Sequence, residues 1–269
     1  MLEISSDASS GAAAPALPRR KRVMLWPWTL LALAVGLLAW EAVVRLSGLP
    51  AFILPSPARV GMRLLEALAD GSLLRHAAAT LFETLAGLAL GLTLAIVLGY
   101  LIAKSPALER ALTPYLVASQ AVPVVAIAPL LVIWLGPGVL SKILISALIV
   151  FFPILVNTIV GLRSVALELH DLMRSLNATR WQTFTRLEVP AALPVLLGGL
   201  KIGATLAVIG AVVGEFVGAD RGLGYLVNVG RGAYDTALVF VAVAALVALA
   251  LSLYGAVSLL EKFLLAWRR

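Results

Sequence analysis

Residues 163–190 read RSVALELHDLMRSLNATRWQTFTRLEVP, a polar interlude between apolar runs at about 142–162 and 190–217. Its first half is compatible with a helix up to Leu176. Asn177 interrupts it, and Asn tolerates the left-handed conformation that ends helices. Thr179 followed by Gln182 three residues on predicts a capping box, so a second short helix should start near Arg180. On that helix Trp181 and Phe184 share a face, with Leu187 or Glu188 nearby. Pro190 marks where the next apolar run opens. Two large aromatics on a short helix suit a knob for a partner's groove. They also suit an anchoring belt in the lipid interface.

Outward from this loop the chain is apolar. Of its 269 residues, 61% are hydrophobic and 13% charged, against roughly 25% charged in soluble domains. So few charges cannot cover a water-facing surface, and lipid must be the solvent. About 20 apolar residues cross a hydrocarbon core. Six stretches qualify: about 23–44, 80–103, 113–135, 142–162, 190–217 and 237–260. An all-α membrane protein of about six transmembrane helices follows. Residues 1–22, small and polar and then basic at Arg19–Arg22, read as a disordered cytoplasmic tail, with the transmembrane domain over 23–269. The first apolar run is too long for the core of a cleaved signal and no A-x-A-like site follows it, so a retained span is expected.

The formal charge of +7 does not indicate nucleic acid, because Lys and Arg cluster between the apolar runs and so set topology. With the N-terminus cytoplasmic, thirteen of them fall inside and seven outside, Lys142 among the seven, while Lys201 lies within a span. Both termini are therefore expected in the cytoplasm. Outside, Leu54-Pro55-Ser56-Pro57 places an N-cap at Ser56 and the first helical residue at Pro57, predicting a surface helix over about 56–70. Val60, Leu64 and Leu68 recur on it at helical spacing.

Polar groups within the spans are functional candidates. Ser119 and Gln120 precede Pro123, and Asn157 follows Pro153. They read either as lining a pathway or as helix–helix hydrogen bonds. Lys201 and Glu215 read as structural intramembrane charges, since about 21 Å of helix separates them. Glu83 lies near the outer end of its span. The pairs Gly87/Gly91, Gly199/Gly203, Gly210/Gly214 and Gly214/Gly218 have the spacing that permits close helix approach.

The loop resembles the cytoplasmic signature of permeases from binding-protein-dependent, ATP-driven importers: E-A-A, three residues, Gly, nine residues, I-x-L-P. Asp171-Leu172-Met173 stand at E-A-A, Asn177 at Gly and Leu187-Glu188-Val189-Pro190 at I-x-L-P. Asn for Gly keeps access to positive φ, whereas Leu172-Met173 depart from the alanines. LPSP at 54–57, PVVAIAPLLVIWLGPG at 123–138, FFPILVNTIVGLRSV at 151–165, VPAALPVLLGGLKIG at 189–203 and GEFVGADRGLGYLV at 214–227 are similar to the sulfonate/nitrate/taurine-type permeases. The resemblance implies the MetI-like fold of type I ABC importers. It also implies that the loop, through Asp171, Asn177, Ala178, Thr179, Arg180, Trp181, Gln182, Phe184 and Pro190, docks on an ATPase. The partners it implies are two ATPase subunits, an extracytoplasmic substrate-binding protein and a second permease copy, in a bacterial plasma membrane. SQAVPVVAIAP at 119–129 and DLMRSLNATRWQ at 171–182 are similar to the vitamin-type branch, implying riboflavin or a thiamine-precursor pyrimidine as solute. Sulfonate, taurine or nitrate is the alternative.

No stretch fits G-x-x-x-x-G-K-[ST], and none of the lysines follows a glycine, so this chain should bind no ATP itself and leave it to partner subunits. No H-E-x-x-H, G-x-S-x-G or paired-carboxylate cluster is present, so no catalytic residue is expected. With no cysteine and two isolated histidines, His76 and His170, no metal site is expected either. One rival reading is an ion-coupled secondary transporter, a class that uses inverted repeats and midplane acids; a second is a membrane scaffold or receptor whose cytoplasmic loop recruits a partner.

Overall fold

The structure, a computed structural model, describes residues 26–266. The expected tail at 1–22 lies outside that range. Among the described residues the chain is helical, without strands, as lipid requires of a segment that must satisfy its own backbone. The helices are α1 (Trp26–Ser47), α2 (Pro57–Ala69), α3 (Ser72–Lys104), α4 (Pro106–Gln120), α5 (Val124–Leu135), α6 (Val139–Arg163), α7 (Leu167–Ser175), α8 (Arg180–Thr183), α9 (Val189–Gly218), α10 (Leu223–Gly232) and α11 (Thr236–Leu264). A π-helical turn, Phe184–Glu188, joins α8 to α9.

Helices α3, α6 and α9 form the core, with α6 in the middle and α10 and α11 packed on α9. Lipid tails are as apolar as leucine, so helices associate through close van der Waals contact rather than exclusion from water. Glycine supplies that contact here. A Cβ on Gly91 would sit 2.7 Å from the Ala147 carbonyl oxygen of α6, and one on Gly210 would sit 2.5 Å from the Ser146 Cα. Gly87 meets Ser146 and Gly199 meets Asn157 in the same way. The Ser146 hydroxyl, buried between α3 and α9, donates to the Ala207 carbonyl of α9 at 3.0 Å. By contrast, α1 is peripheral, touching α2 and stacking Trp40 on Phe240 of α11 at 5.1 Å.

Two expectations about the spans change. The run at 80–103 begins eight residues earlier, at Ser72. Gly71 takes φ +72, the Asp70 carboxylate accepts from the Ser72 N–H at 2.8 Å, and the chain turns straight from α2 into α3. The Ser72 hydrogen bonds hold the Asp70 carboxyl below its ordinary range. The run at 113–135 is two helices, α4 and α5, meeting at 91°. Pro123 has no N–H to continue α4 and disfavours helical backbone at Val122. Among the described residues, the carbonyls of Gln120, Ala121 and Val122 have no backbone donor.

The surface helix forms where Ser56 and Pro57 place it, the Ser56 hydroxyl accepting from the Arg59 N–H at 3.3 Å. Val60 and Ala67 face the α10–α11 cluster, while Leu64 and Leu68 stay partly exposed. Arg63 ties the helix to α11 by donating to Asp235 at 2.8 Å.

Candidate functional site

Two caps order the loop between α6 and α9, one closing α7 and one opening α8. At the end of α7 the Asn177 N–H donates to Arg174 O at 2.9 Å and the Ala178 N–H to Met173 O at 3.0 Å. With Asn177 at φ +52, this is a Schellman closure. Asn177 therefore stands in the conformation that glycine would adopt freely. Two residues later the Thr179 hydroxyl accepts from Gln182 N–H at 3.2 Å, and the Gln182 side chain accepts from Thr179 N–H at 2.8 Å. The capping box is complete and α8 starts at Arg180. Pro190 sits in the first turn of α9.

The loop leaves apolar groups outward: Leu167, Leu172, Leu176 and Trp181 are 76%, 52%, 67% and 70% exposed, standing free among polar neighbours. Asp171 is exposed and accepts from Arg174 at 3.4 Å. Trp181 and Phe184 do share a face, at 5.6 Å, but they do not share a fate. The π-turn swings Phe184 inward, edge-on to Tyr100 of α3 at 5.2 Å. Trp181 is thus the free aromatic, and Phe184 fastens the loop to the bundle.

Two ion pairs reinforce that fastening. Glu188, 3% exposed, pairs with Lys104 at the end of α3. Arg163, at the end of α6, donates twice to Glu109 of α4, both at 2.6 Å. The sequence reading missed all four. Lys104 and Arg163 read as topology charges, and Glu188 as the variable position of L-E-V-P. Nothing local in the sequence pairs residues 84 and 54 positions apart.

The three pathway candidates are not brought together. Ser119 and Gln120 lie exposed at the α4–α5 break, with the Ser119 hydroxyl donating to Leu116 O. Asn157 instead donates to Pro153 O of its own helix at 2.8 Å and packs its Cβ on Gly199. The structural charges find partners. Lys201 pairs with Glu261 of α11 over the Tyr254 ring. Glu215, 1% exposed, accepts from Thr80 at 2.6 Å and from the Gly224 N–H. Thr80 in turn accepts from Leu223 N–H at 2.7 Å, and His76 from Gly222 N–H at 3.0 Å. Three successive amides at the start of α10 are thereby anchored on α3 and α9. A side chain at Gly222 would run into the Glu215 carboxyl.

Lys142 corrects the sequence reading. Counted there as an outer-loop charge, it is 1% exposed inside α6, donating to Pro137 O at 2.8 Å and Gly138 O at 3.2 Å. The reason is that α6 begins at Val139, so Lys142 lies in its first turn and folds back on the carbonyls that precede it. Among the described residues no cluster of His, Cys, Asp or Glu could hold a metal.

Residues 87–265 match the family model described as "Binding-protein-dependent transport system inner membrane component". The chain belongs to this family of ABC importer permeases. That range contains α4 through α11, and so the whole of the capped loop. The permease is 49% identical to the riboflavin transport system permease protein RibX of Chloroflexus aurantiacus, over 93% of this chain and 95% of that one. It is 42% identical to the formylaminopyrimidine transport permease protein ThiX of Halalkalibacterium halodurans, over 86% and 91%. In fold it is similar to an inward-facing structure of the MetNI methionine ABC transporter, with a TM-score of 0.64 at 19% identity, over 73% of this chain and 97% of that one. The permease is a multi-pass inner-membrane protein that works with ATPase and binding-protein partners.

Proposed function

We propose that this permease moves riboflavin, or a related heterocyclic vitamin precursor, into the cytoplasm. Its 49% identity to a riboflavin permease along nearly the whole chain is the observation that favours this solute. The 42% identity to a formylaminopyrimidine permease keeps the pyrimidine precursor as the second reading. The loop of α7 and α8 lies on the cytoplasmic side, as do both termini, in keeping with thirteen basic residues there against six opposite once the buried Lys142 is set aside.

ATP is bound and hydrolysed by two partner ATPase subunits, and this chain holds none. Trp181, presented by the Schellman closure and the capping box together with Leu172 and Leu176, is the knob each ATPase receives. Lys104–Glu188 and Phe184–Tyr100 then pass the movement of the loop to α3. A second permease copy covers the α4–α5 break. Open carbonyls at Gln120, Ala121 and Val122 cannot face hydrocarbon, where each would cost several kcal/mol, so protein or a watery passage must lie against them. Ser119 and Gln120 then line that passage. Closure of the ATPases on nucleotide shifts the pair of permeases between inward- and outward-open populations.

Co-expression with the ATPase of the same system tests the docking. Wild type should retain the ATPase through detergent purification, and Trp181→Ala should lose it while melting at the same temperature. Equal retention by the variant overturns the docking surface. Uptake of labelled riboflavin and of labelled formylaminopyrimidine by cells carrying the complete system then decides the solute.

A further inference from the structure

Two cavities adjoin at the loop end of the bundle, and their chemistries differ. One, of about 270 Å³, is an apolar groove between α3, α6 and α9. Val97, Leu101, Leu162, Phe184, Ala192 and Leu196 line it, together with Tyr100. The other, of about 610 Å³, is lined by Lys104, His170, Arg174, Arg180 and Glu188, and again by Tyr100. Phe184 lines the groove and its neighbour Thr183 the basic pocket, and Tyr100 borders both, so the two lie side by side.

The charge of the pocket is unbalanced. Three permanent cations face one carboxylate, and Lys104 already holds that carboxylate. Arg174 reaches only the exposed Asp171, at 3.4 Å. Arg180 has no acidic partner among the described residues. The pocket therefore asks for an anion, next to an apolar chain. A phosphate is the shared chemistry, and the groove selects among its sources. We propose that this is a binding site for an anionic glycerophospholipid, of the phosphatidylglycerol type, from the leaflet on the loop side. An acyl chain lies in the groove, and the phosphate faces Arg174 and Arg180. Basic pockets between transmembrane helices at the headgroup level recognise anionic lipids in this way. The lipid would touch the same loop that carries Trp181, although the site depends only on the chain spanning a membrane and not on its solute.

Native mass spectrometry of the full chain, released from micelles holding equal amounts of phosphatidylglycerol, phosphatidylethanolamine and phosphatidylcholine, tests this. Wild type should carry phosphatidylglycerol in preference to both zwitterionic lipids. Each cation near an anionic headgroup contributes about fivefold, so Arg174→Gln with Arg180→Gln should cut the preference by more than tenfold. Arg110→Gln, a charge removed outside the pocket at the same end, should leave it unchanged. Val97→Trp fills the groove from a position already 55% exposed, and should lower phosphatidylglycerol binding without lowering the melting temperature. Equal binding of all three lipids, or an undiminished preference in the double variant, overturns the proposal. So does displacement of the lipid by inorganic phosphate, which would make the pocket a free-anion site. A pocket that stays lipid-free in the isolated chain overturns it too, and points to an acidic segment of a protein partner.

Discussion

Lys104→Met removes the ammonium that Glu188 holds at the junction of α3 with the loop. A carboxylate that loses its partner in full enclosure costs about 3–5 kcal/mol. Here the Glu188 side chain is 5% exposed but that of Lys104 is 42% exposed, so water reaches the pair from the lysine side and screens much of that cost. A loss of about 1–2 kcal/mol is expected, or roughly 2–8 °C in melting temperature for a chain of this size. Glu188→Gln should cost less, because it leaves a half-exposed lysine that water can serve. The double variant should recover most of the loss of Lys104→Met, giving a coupling energy of about 1 kcal/mol in the cycle. Thermal melting of purified protein in one detergent gives all four values, and ATP-driven uptake with the same four chains reads the functional side. If Lys104→Met melts with wild type, or the double variant shows the plain sum of the singles, the ion pair does not fasten the loop. The coupling route through α3 would then be wrong.

Asn177, at φ +52, should accept Gly with no loss, whereas Asn177→Val should cost about 1–2 kcal/mol; hydrogen exchange over residues 164–188 would show the loop loosening only in the valine variant. Phe184→Ala should lower the melting temperature by opening a gap against Tyr100, while Trp181→Ala, 70% exposed, should not, so melts of the two separate anchoring from docking. Gly91→Val forces a side chain against the Ala147 carbonyl oxygen and should cost about 1–3 kcal/mol or more, read as a lower melting temperature and poorer recovery from the membrane.

The membrane class, five of the six spans and the capped loop were legible in the sequence, because each rests on local chemistry. Twenty apolar residues make a span wherever they occur, and Thr179 with Gln182 closes a box within one helical turn. Asn177 declared its left-handed turn in the same local way. The α4–α5 break was half legible: Pro123 announced a kink, but the 91° angle depends on what packs around it. What stayed hidden is long-range. The Lys104–Glu188 and Lys201–Glu261 pairs join helices that the one-dimensional pattern does not place side by side. Lys142 looked like a loop charge because nothing nearby in sequence reveals that Gly214 of α9 packs against its backbone and buries it. Phe184 was read with Trp181 because ordinary helical spacing aligns them, and a π-turn was not foreseen.

Solute movement in proteoliposomes tests the central claim most directly. The permease would be reconstituted alone, with its ATPase, and with its ATPase plus the substrate-binding protein, and uptake of labelled riboflavin followed with and without ATP. Uptake should require all three proteins and ATP, and should vanish with Trp181→Ala. Uptake by the permease alone, driven by a proton or sodium gradient and indifferent to ATP, would contradict the account and make this chain a secondary transporter.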